Sequence, residues 1–402
     1  MDMRTALVSG LLIDGTDRAP LEQSVVIIEG DRITAVTTMA EVGDSLAEGT
    51  QIVDCANKTL IPGLIDAHVH LTFSGDQDVR QTIRTLEAET AEALAIRTLT
   101  NAQQALKAGI TTVRDCGGRG LTTLRVRDAI HAGLAIGPRI LACGMPITPT
   151  AGHLHWCGLR ADGEDGVRHA TRQMVEAGAD FIKMMATGGY MTAGSNPRMP
   201  QYTAKEMALI VEEAHRLGRH VAAHVLSAEG VRRAVQSGVD TLEHCMWHKP
   251  GDGDDYDLDA VANIVQAGRY VTMARGVTAI DDDESLAQAR ELYAPWRDMI
   301  ARGVKMILAT DAGISAAPRC DLLPQVALTA VSLLDMTPME VIAACTRIPA
   351  QALWVEDEIG TLEPGKKADI VILNANPLED IQHLQAVHGV FVDGKRAFMD
   401  ES

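Results

Sequence analysis

Leu64-Ile65-Asp66-Ala67-His68-Val69-His70 is a short apolar run that ends in two histidines, and it is the first of eight strand-like runs. Helical stretches separate these runs along the chain. The other seven cover residues 111–115, 139–142, 181–184, 220–224, 241–244, 270–273 and 304–311. Strands that alternate with helices are typical of a parallel sheet built from βα units. Because eight such units come close to filling the roughly 250 residues of a closed barrel, the sequence predicts an α/β protein with a (β/α)8 TIM barrel.

Both ends of the chain carry shorter β-type runs that are broken by turn residues. These runs cover residues 7–13, 24–28, 32–36, 369–373 and 389–392. Since each end is small for a core of its own, we predict that they pack together as one small β domain built from both chain ends. The predicted organisation is a discontinuous β-sandwich of residues 1–60 plus 356–402 and a barrel of residues 61–355.

Composition and charge narrow the class of protein. The chain has 402 residues, of which 46% are hydrophobic and 22% are charged, and this balance excludes a disordered protein. Its 36 basic and 54 acidic residues give a net charge of −18. Such a surface repels phosphate backbones and anionic lipid, so neither a nucleic-acid nor a membrane partner is expected. The seven scattered cysteines, the missing signal-peptide cleavage site and the missing long apolar span predict a soluble cytoplasmic protein.

The ends of the predicted strands carry the residues that can do chemistry. Side chains alternate along a strand, so His68 and His70 share one face and can bind one metal ion. His153-Leu154-His155 has the same spacing but lies outside any predicted strand. Catalytic groups of a TIM barrel sit at the C-terminal ends of its strands. This rule selects six candidate metal ligands, namely His68, His70, Lys183, His224, His244 and Asp311.

At this point the chain resembles the amidohydrolase superfamily, in the binuclear branch related to imidazolonepropionase-like proteins and Xaa-Pro dipeptidases. The resemblance covers nearly the full length. It rests on residues 61–70, Phe181-Ile182-Lys183 with Thr187-Gly188-Gly189, Ala223-His224, residues 240–244, Thr310-Asp311 and residues 360–369. The resemblance implies that His68, His70 and Asp311 bind one metal ion, and that His224 and His244 bind the other. It also implies that Lys183 is carboxylated and bridges the two.

The chemistry of such a centre is consistent with the implied ligands. A lysine beside cations and apolar walls loses its proton more readily, and the free amine can capture carbon dioxide. Two divalent ions, expected to be zinc, would lower the pKa of a bridging water. We expect Asp311 to act as general base while the hydroxide attacks a carbonyl, and then to return the proton to the leaving amine. Asp311 and Lys183 are therefore the predicted catalytic residues of a metal-dependent hydrolase of carbon–nitrogen bonds.

Two other classes of protein agree less well with the sequence. A serine or cysteine hydrolase is disfavoured because there is no GxSxG motif, and because Cys245 should point away from the site by strand alternation. A non-catalytic amidohydrolase-like scaffold that has lost its metals is the remote alternative. A lysine without any role at a solvent-facing strand end is the alternative for Lys183.

Loops that follow the strands set specificity in this architecture. The predicted substrate-binding residues are His153, Trp156, Tyr190, Arg198, Tyr202, Trp247 and Arg275. One or two of Arg198, Arg275 and His153 are expected to hold a substrate carboxylate, while the aromatic side chains wall an apolar pocket. We expect a small-molecule amide, cleaved by a dipeptidase (Xaa-Pro or carboxypeptidase-like) or by an N-acyl amino acid hydrolase.

The finer substrate specificity stays open at this stage. Relatives often carry an aromatic residue shortly after the histidine of the fifth strand, whereas Val225-Leu226 stand here. Aryl amides, carbamates, cyclic amides and lactones therefore remain as alternative substrates. A homo-oligomer is expected only by analogy with the family.

Overall fold

The computed structural model describes residues 4–42, 49–276, 280, 282–314 and 317–400. The β-strands of this part of the chain are β1 (Arg4–Leu12), β2 (Leu21–Glu29), β3 (Arg32–Thr38), β4 (Gln51–Pro62), β5 (Leu64–Val69), β6 (Ile110–Asp115), β7 (Arg139–Ala142), β8 (Ile147–Thr148), β9 (Leu159–Arg160), β10 (Ile182–Met185), β11 (Val221–Ser227), β12 (Thr241–His248), β13 (Tyr270–Ala274), β14 (Lys305–Ala309), β15 (Ile370–Leu373), β16 (Val387–Val392) and β17 (Lys395–Met399).

Helices fill most of the intervals between the strands of the barrel. They are α1 (Met39–Val42), α2 (Val79–Ala88), α3 (Ala91–Lys107), α4 (Thr122–His131), α5 (Gly163–Glu176), α6 (Ala204–Arg216), α7 (Ala228–Ser237), α8 (Leu258–Gln266), α9 (Asp283–Leu292), α10 (Ala294–Ala301), α11 (Leu323–Leu334), α12 (Pro338–Ala344) and α13 (Arg347–Ala352), with a 3₁₀ helix at Ile381–Gln385. Within the described residues, no helix is both long and apolar enough to cross a membrane.

Eight parallel strands form the barrel, and each overlaps one of the eight runs predicted from the sequence. β5, β6 and β7 pair in order, and β10 to β14 pair in order on the other side. The barrel closes where the amide of His70 donates to the carbonyl of Ala312 over 2.7 Å and the amide of Asp311 donates to the carbonyl of His68 over 2.9 Å. Closure therefore joins the first and last strands at the residues predicted to bind metal.

The segment after the third barrel strand is more ordered than the sequence indicated. The short strands β8 and β9 run parallel to each other, and β8 extends the sheet through one residue pair with β10. The tight backbone of residues 149–158 lies between these two strands. His153 lies in that stretch. Its backbone amide donates to Gln201 Oε1 over 2.8 Å, and this bond holds the backbone in place.

Strands from both ends of the chain form one mixed sheet of seven strands. Its order is β17-β16-β15-β4-β1-β2-β3, so β4 joins the N-terminal strands to the C-terminal ones. β4 pairs parallel with β1 and antiparallel with β15. Its apolar core includes Leu7, Val26, Leu60, Ile370 and Phe391. The division into a discontinuous sandwich of residues 1–60 plus 356–402 and a barrel of residues 61–355 stays a prediction.

The sheet passes into the barrel through a single glycine. Gly63 separates β4 from β5, and a Cβ atom at this position would lie 1.9 Å from Thr111 Oγ1. Any larger residue would therefore push the first barrel strand away from the second. This close approach sets the start of the strand that ends in His68 and His70.

Candidate active site

Six side chains from five barrel strands or their ends converge on one cavity of about 480 Å³. They are His68, His70, Lys183, His224, His244 and Asp311, the residues that the strand-end rule selected. All but His244 and Asp311 are buried, and the side chain of Asp311 is 13% exposed. The cavity therefore has these polar groups at its floor and opens toward the loops that follow the strands.

His68, His70 and Asp311 form one half of the polar floor. Asp311 Oδ1 lies 3.4 Å from the Nε2 atom of each histidine, and the three ligand atoms lie within 4.8 Å of one another. His68 Nδ1 hydrogen-bonds Glu243 Oε2 over 2.7 Å, and His70 Nδ1 donates to the carbonyl of Gly117 over 2.7 Å. Each imidazole thus uses its Nδ1 atom on the protein and keeps its Nε2 lone pair for a cation.

The protonation states of this half suit a cation. Burial lowers the pKa of His68 to about 3, so the imidazole is neutral at pH 7. Burial would raise the pKa of Asp311, but the neighbouring imidazoles of His68 and His70 outweigh it and hold that pKa below its usual range. Neutral imidazole and ionised carboxylate are the forms that bind metal ions.

His224, His244 and Lys183 form the other half. The rings of His224 and His244 are 4.8 Å apart, and the ring of His244 is 5.1 Å from that of His68. His244 Nδ1 donates to the carbonyl of Ala274 over 2.9 Å, and His224 Nε2 donates to the carbonyl of Gly188 over 3.2 Å. The free atoms are therefore His244 Nε2 and His224 Nδ1. Burial lowers the pKa of both histidines, so both are neutral.

Lys183 lies at the junction of the two halves. Its Nζ atom is buried and has no hydrogen-bond partner among the described residues. A buried ammonium group without a partner is unfavourable by several kcal/mol in an apolar environment. The Nζ atom of Lys183 therefore calls for a partner that balances its charge or for a chemical change that removes the charge.

The backbone bends sharply where two of these residues leave their strands. His244 has φ 65° and Asp311 has φ 59°, in the left-handed region that residues with a side chain rarely adopt. Such a conformation is unfavourable by roughly 1–2 kcal/mol for each residue. It interrupts the alternation of the strand and turns both side chains toward the cavity.

Sequence reasoning missed a buried ion pair beneath the site. Glu243 accepts hydrogen bonds from His68 Nδ1 over 2.7 Å, from Arg114 Nη2 over 2.7 Å and from Thr241 Oγ1 over 2.6 Å. Arg114 also donates to the carbonyl of Ala67 over 2.6 Å, and both charged side chains are fully buried. Burial opposes ionisation, but Arg114 and His68 outweigh it and hold the pKa of Glu243 well below its usual range. The sequence signal was one charged residue of each sign within a predicted barrel strand, Arg114 in the second and Glu243 in the sixth.

Three of the seven predicted substrate-binding residues line the cavity. They are His153, Tyr190 and Arg275. The ring of His153 is 4.6 Å from that of His224, and burial lowers the pKa of His153 to about 3. Most of the remaining wall is apolar and consists of Leu154, Met185, Met191, Leu226, Met246, Ala274 and Ile314.

The other four predicted substrate-binding residues, Trp156, Arg198, Tyr202 and Trp247, are not among the residues that line the cavity. Tyr202 is buried and donates to the carbonyl of Ala161 over 2.9 Å. Trp247 is buried against Tyr256, with their rings 5.1 Å apart. Trp247 lies within β12 and Tyr202 on the segment after β10, and burial of apolar area in the core stabilises both rings.

Trp156 and Arg198 have structural contacts as well. Trp156 packs on Phe73, with the ring centres 5.4 Å apart, and its Nε1 donates to Thr192 over 3.2 Å. Arg198 Nη1 donates to the carbonyl oxygens of Lys249 and Gly253, over 3.1 Å each. Neither side chain is therefore aimed at the polar floor.

Comparison with known proteins agrees with this geometry. A model of the Amidohydrolase family matches residues 59–397. An ochratoxinase of Aspergillus niger is 30% identical, over 97% of this chain and 86% of the relative. Its crystal structure matches with a TM-score of 0.82, 29% identity and coverage of 98% of this chain and 95% of that one.

The chain is also similar to proteins that are named for other reactions. An imidazolonepropionase of Fusobacterium nucleatum is 25% identical, over 93% of this chain and 91% of the relative. The crystal structure of a Xaa-Pro dipeptidase with bound methionine in the active site has a TM-score of 0.83 and 28% identity, and the match covers 99% of this chain and 100% of that one. Since the family match spans the whole barrel and the C-terminal strands, the chain belongs to the amidohydrolase family.

Proposed function

We propose that the protein is a binuclear metal-dependent hydrolase that cleaves an amide bond in a small molecule carrying one carboxylate and a bulky apolar group. Membership of the amidohydrolase family makes it a hydrolase of carbon–nitrogen bonds. The observation that carries the rest of the proposal is the convergence of four histidines, an ionised Asp311 and the unpartnered Lys183 on one cavity.

The donor atoms fit a pair of divalent ions. His68, His70 and Asp311 would hold one ion, and His224 and His244 would hold the other. The ammonium group of Lys183 would lose two protons to water as its nitrogen bonds to the carbon of carbon dioxide, and the resulting carbamate anion would offer its oxygens as ligands to both ions. Zinc suits such a set of nitrogen and oxygen ligands. The buried, unpartnered Nζ atom of Lys183 supports this assignment because carboxylation replaces an isolated cation with an anion.

The residues of the chain would divide the reaction between them. When bound, the metal ions supply Lewis-acid polarisation of the carbonyl and activation of water. An Asp311 carboxylate oxygen accepts the proton of the attacking water and later delivers it to the leaving nitrogen. Glu243 keeps His68 in the tautomer whose Nε2 is free. The apolar wall excludes bulk water and so strengthens the electrostatic interactions at the floor.

Arg275 is the candidate for binding the substrate carboxylate. It lines the cavity, and its guanidinium lies 5.5 Å over the ring of Tyr293. Within the described residues it forms no ion pair with an acidic side chain, so its charge is available to a ligand. One cation within a mostly apolar wall favours a substrate with a single carboxylate beside an apolar group. An N-acyl amino acid or a dipeptide such as Xaa-Pro fits this description.

The test uses zinc-loaded protein and a matched pair of compounds. N-acetyl-L-phenylalanine should be hydrolysed, and its carboxamide analogue should react with a higher KM. Arg275→Met should raise KM for the acid by roughly tenfold and leave the carboxamide unchanged, since a hydrogen bond to a charged group contributes about 1.5–3 kcal/mol. Xaa-Pro dipeptides, aryl amides, carbamates, cyclic amides and lactones complete the panel.

Two outcomes would contradict the proposal. Fast cleavage of lactones or aryl amides without turnover of any acylated amino acid or dipeptide would favour the alternative substrates. Protein that binds no metal by elemental analysis, even after zinc and bicarbonate are supplied, would favour a non-catalytic scaffold. The cytoplasmic location and the homo-oligomer stay predictions, and sedimentation of the purified chain would test the second.

A further inference from the structure

Two loops stand at the mouth of the cavity, and hydrogen bonds join them. The first mouth loop (residues 186–202) follows β10, and the second mouth loop (residues 249–257) follows β12. Tyr190 Oη in the first loop lies 2.9 Å from Nε2 of His248, the last residue of β12. His248 Nδ1 lies 2.7 Å from Asp254 Oδ1 in the second loop. The side chain of Arg198 adds two hydrogen bonds from the first loop to backbone carbonyls at Lys249 and Gly253.

Each mouth loop is also braced internally. In the first loop, the amide of Gly188 donates to the carbonyl of Met199 over 3.1 Å, and the amide of Gln201 donates to the carbonyl of Ala186 over 2.8 Å. In the second loop, the amide of Asp255 donates to the carbonyl of Trp247 over 2.7 Å. Backbone hydrogen bonds thus brace each mouth loop, and side-chain hydrogen bonds join the two loops to each other.

Two successive hydrogen bonds hold the hydroxyl of Tyr190. His248 Nδ1 donates to the Asp254 carboxylate, and His248 Nε2 shares a hydrogen bond with Tyr190 Oη. Tyr190 lines the cavity although it is 69% exposed. The hydrogen bonds through His248 to Asp254 therefore hold the side chain of Tyr190 in one position although it is exposed.

We propose that Tyr190 is a specificity-determining residue and that His248 and Asp254 are positioning residues that hold it across the cavity mouth. The ring of Tyr190 continues the apolar wall formed by Met191 and Leu226, so it covers a bulky apolar group of the substrate. This inference rests on the proposed function, since it concerns the substrate of the same cavity. Chemistry takes place at the floor, so loosening the mouth raises KM for large substrates more than it lowers kcat.

The kinetic experiment compares a large and a small acid. Tyr190→Ala should raise KM for N-acetyl-L-phenylalanine about tenfold and leave N-acetylglycine nearly unchanged, because the lost apolar contact matters only to the large group. Tyr190→Phe removes the hydrogen bond to His248, and His248→Ala removes that bond together with the one to Asp254. Each variant should raise the same KM roughly two- to tenfold. Because both delete the bond between Tyr190 and His248, the double variant should be no worse than His248→Ala alone.

Rescue and control variants separate positioning from folding. His248→Gln offers an amide oxygen near the place of Nε2 and should restore most of the affinity. His131→Ala removes an exposed histidine on α4, outside both mouth loops, so it serves as the matched control. Additive effects in the Tyr190→Phe and His248→Ala double variant, or equal KM changes for the two acids, would overturn the proposal.

Two measurements on metal-free protein keep this inference separate from the proposed function. Hydrogen–deuterium exchange of residues 186–202 and 249–257 should rise in His248→Ala and return in His248→Gln. Calorimetric binding of N-acetyl-L-phenylalanine should weaken in the same variants. If zinc-loaded wild-type protein hydrolyses nothing but these results hold, the proposed function fails and the role of Tyr190 stands. Unchanged exchange in His248→Ala, or no binding of the acid by wild-type protein, overturns the role of Tyr190.

Discussion

Replacing Arg114 with methionine removes the cation that faces Glu243 inside the barrel. Both side chains are fully buried and lie 2.7 Å apart, so the change leaves a carboxylate without its counter-charge. Loss of one partner of a buried ion pair destabilises a protein by about 3–5 kcal/mol. A typical domain is stable by only about 5–15 kcal/mol. Arg114→Met should therefore lower the free energy of unfolding of the metal-free protein by about 3–5 kcal/mol.

The double variant Arg114→Met with Glu243→Gln separates charge from shape. It leaves no unpaired charge, and the glutamine oxygen still accepts the hydrogen bond from His68 Nδ1. It does lose the Arg114 hydrogen bonds to the carbonyl of Ala67, to Thr241 Oγ1 and to the side chain at position 243. At about 1 kcal/mol for each, these losses predict a destabilisation of about 3 kcal/mol, at the lower end of the range expected for Arg114→Met. The double variant should thus be more stable than Arg114→Met alone.

Urea denaturation followed by circular dichroism measures both quantities. Arg84→Met is the matched control, because Arg84 lies on the exposed face of α2 and bonds only the side chain of Gln81 at close range. Its effect should stay within about 0.5 kcal/mol. A free energy of unfolding of Arg114→Met within about 1 kcal/mol of the wild-type value, roughly the contribution of one hydrogen bond, would refute the role of the buried ion pair. That role is equally refuted if the two changes add when combined.

Three further substitutions test other parts of the site and fold. Lys183→Met should stabilise the metal-free protein against urea by about 1–3 kcal/mol, since it removes a buried ammonium group without a partner. Elemental analysis of the same variant should find less bound zinc. Zinc content and activity equal to those of the wild type would contradict the carbamate. Gly189→Ala should raise KM at unchanged zinc content, because the new Cβ would lie 2.4 Å from His153 Nε2, whereas Gly166→Ala, with its nearest atom at 3.7 Å, should not. Hydrogen bonds from Arg172 and Arg216 lower the pKa of Glu213 to about 2, so its stabilising effect is full above the ordinary value near 4.5 and is lost as pH falls toward 2. The urea midpoints of Glu213→Gln and wild type should accordingly differ at pH 7 and converge near pH 2.

The strands and the six candidate ligands could be predicted because their signals are local. A strand alternates its side chains, so the spacing of His68 and His70 already places them on one face. The rule that barrel chemistry lies at strand C-termini then finds Lys183 and Asp311 without any knowledge of contacts. What the sequence lacked was the conformation at φ 59° that turns Asp311 inward, since no residue type demands it.

The buried pair and the loops depend on contacts that a one-dimensional pattern does not contain. Arg114 and Glu243 are 129 positions apart and meet only because the barrel closes. Tyr202 follows a strand as the pattern indicated, whereas Trp247 lies within β12, which extends further than the predicted run of residues 241–244. The pattern gave the direction of neither ring, and both are buried in the core, where their apolar area stabilises the fold.

The charges at the floor would make the proposed carbamate and the proposed metal ions depend on each other. A metal ion binds imidazole in its neutral form, and Arg114 balances the charge of Glu243, so the ligand set would contribute only the positive Lys183 and the negative Asp311. These two charges sum to zero, and the ammonium group would repel any cation that approached it. Carboxylation would change the contribution of the lysine from +1 to −1 and that of the set from zero to −2. The same burial that leaves Lys183 without a partner would therefore favour the carbamate only when cations are present, and it would favour the cations only when the carbamate has formed.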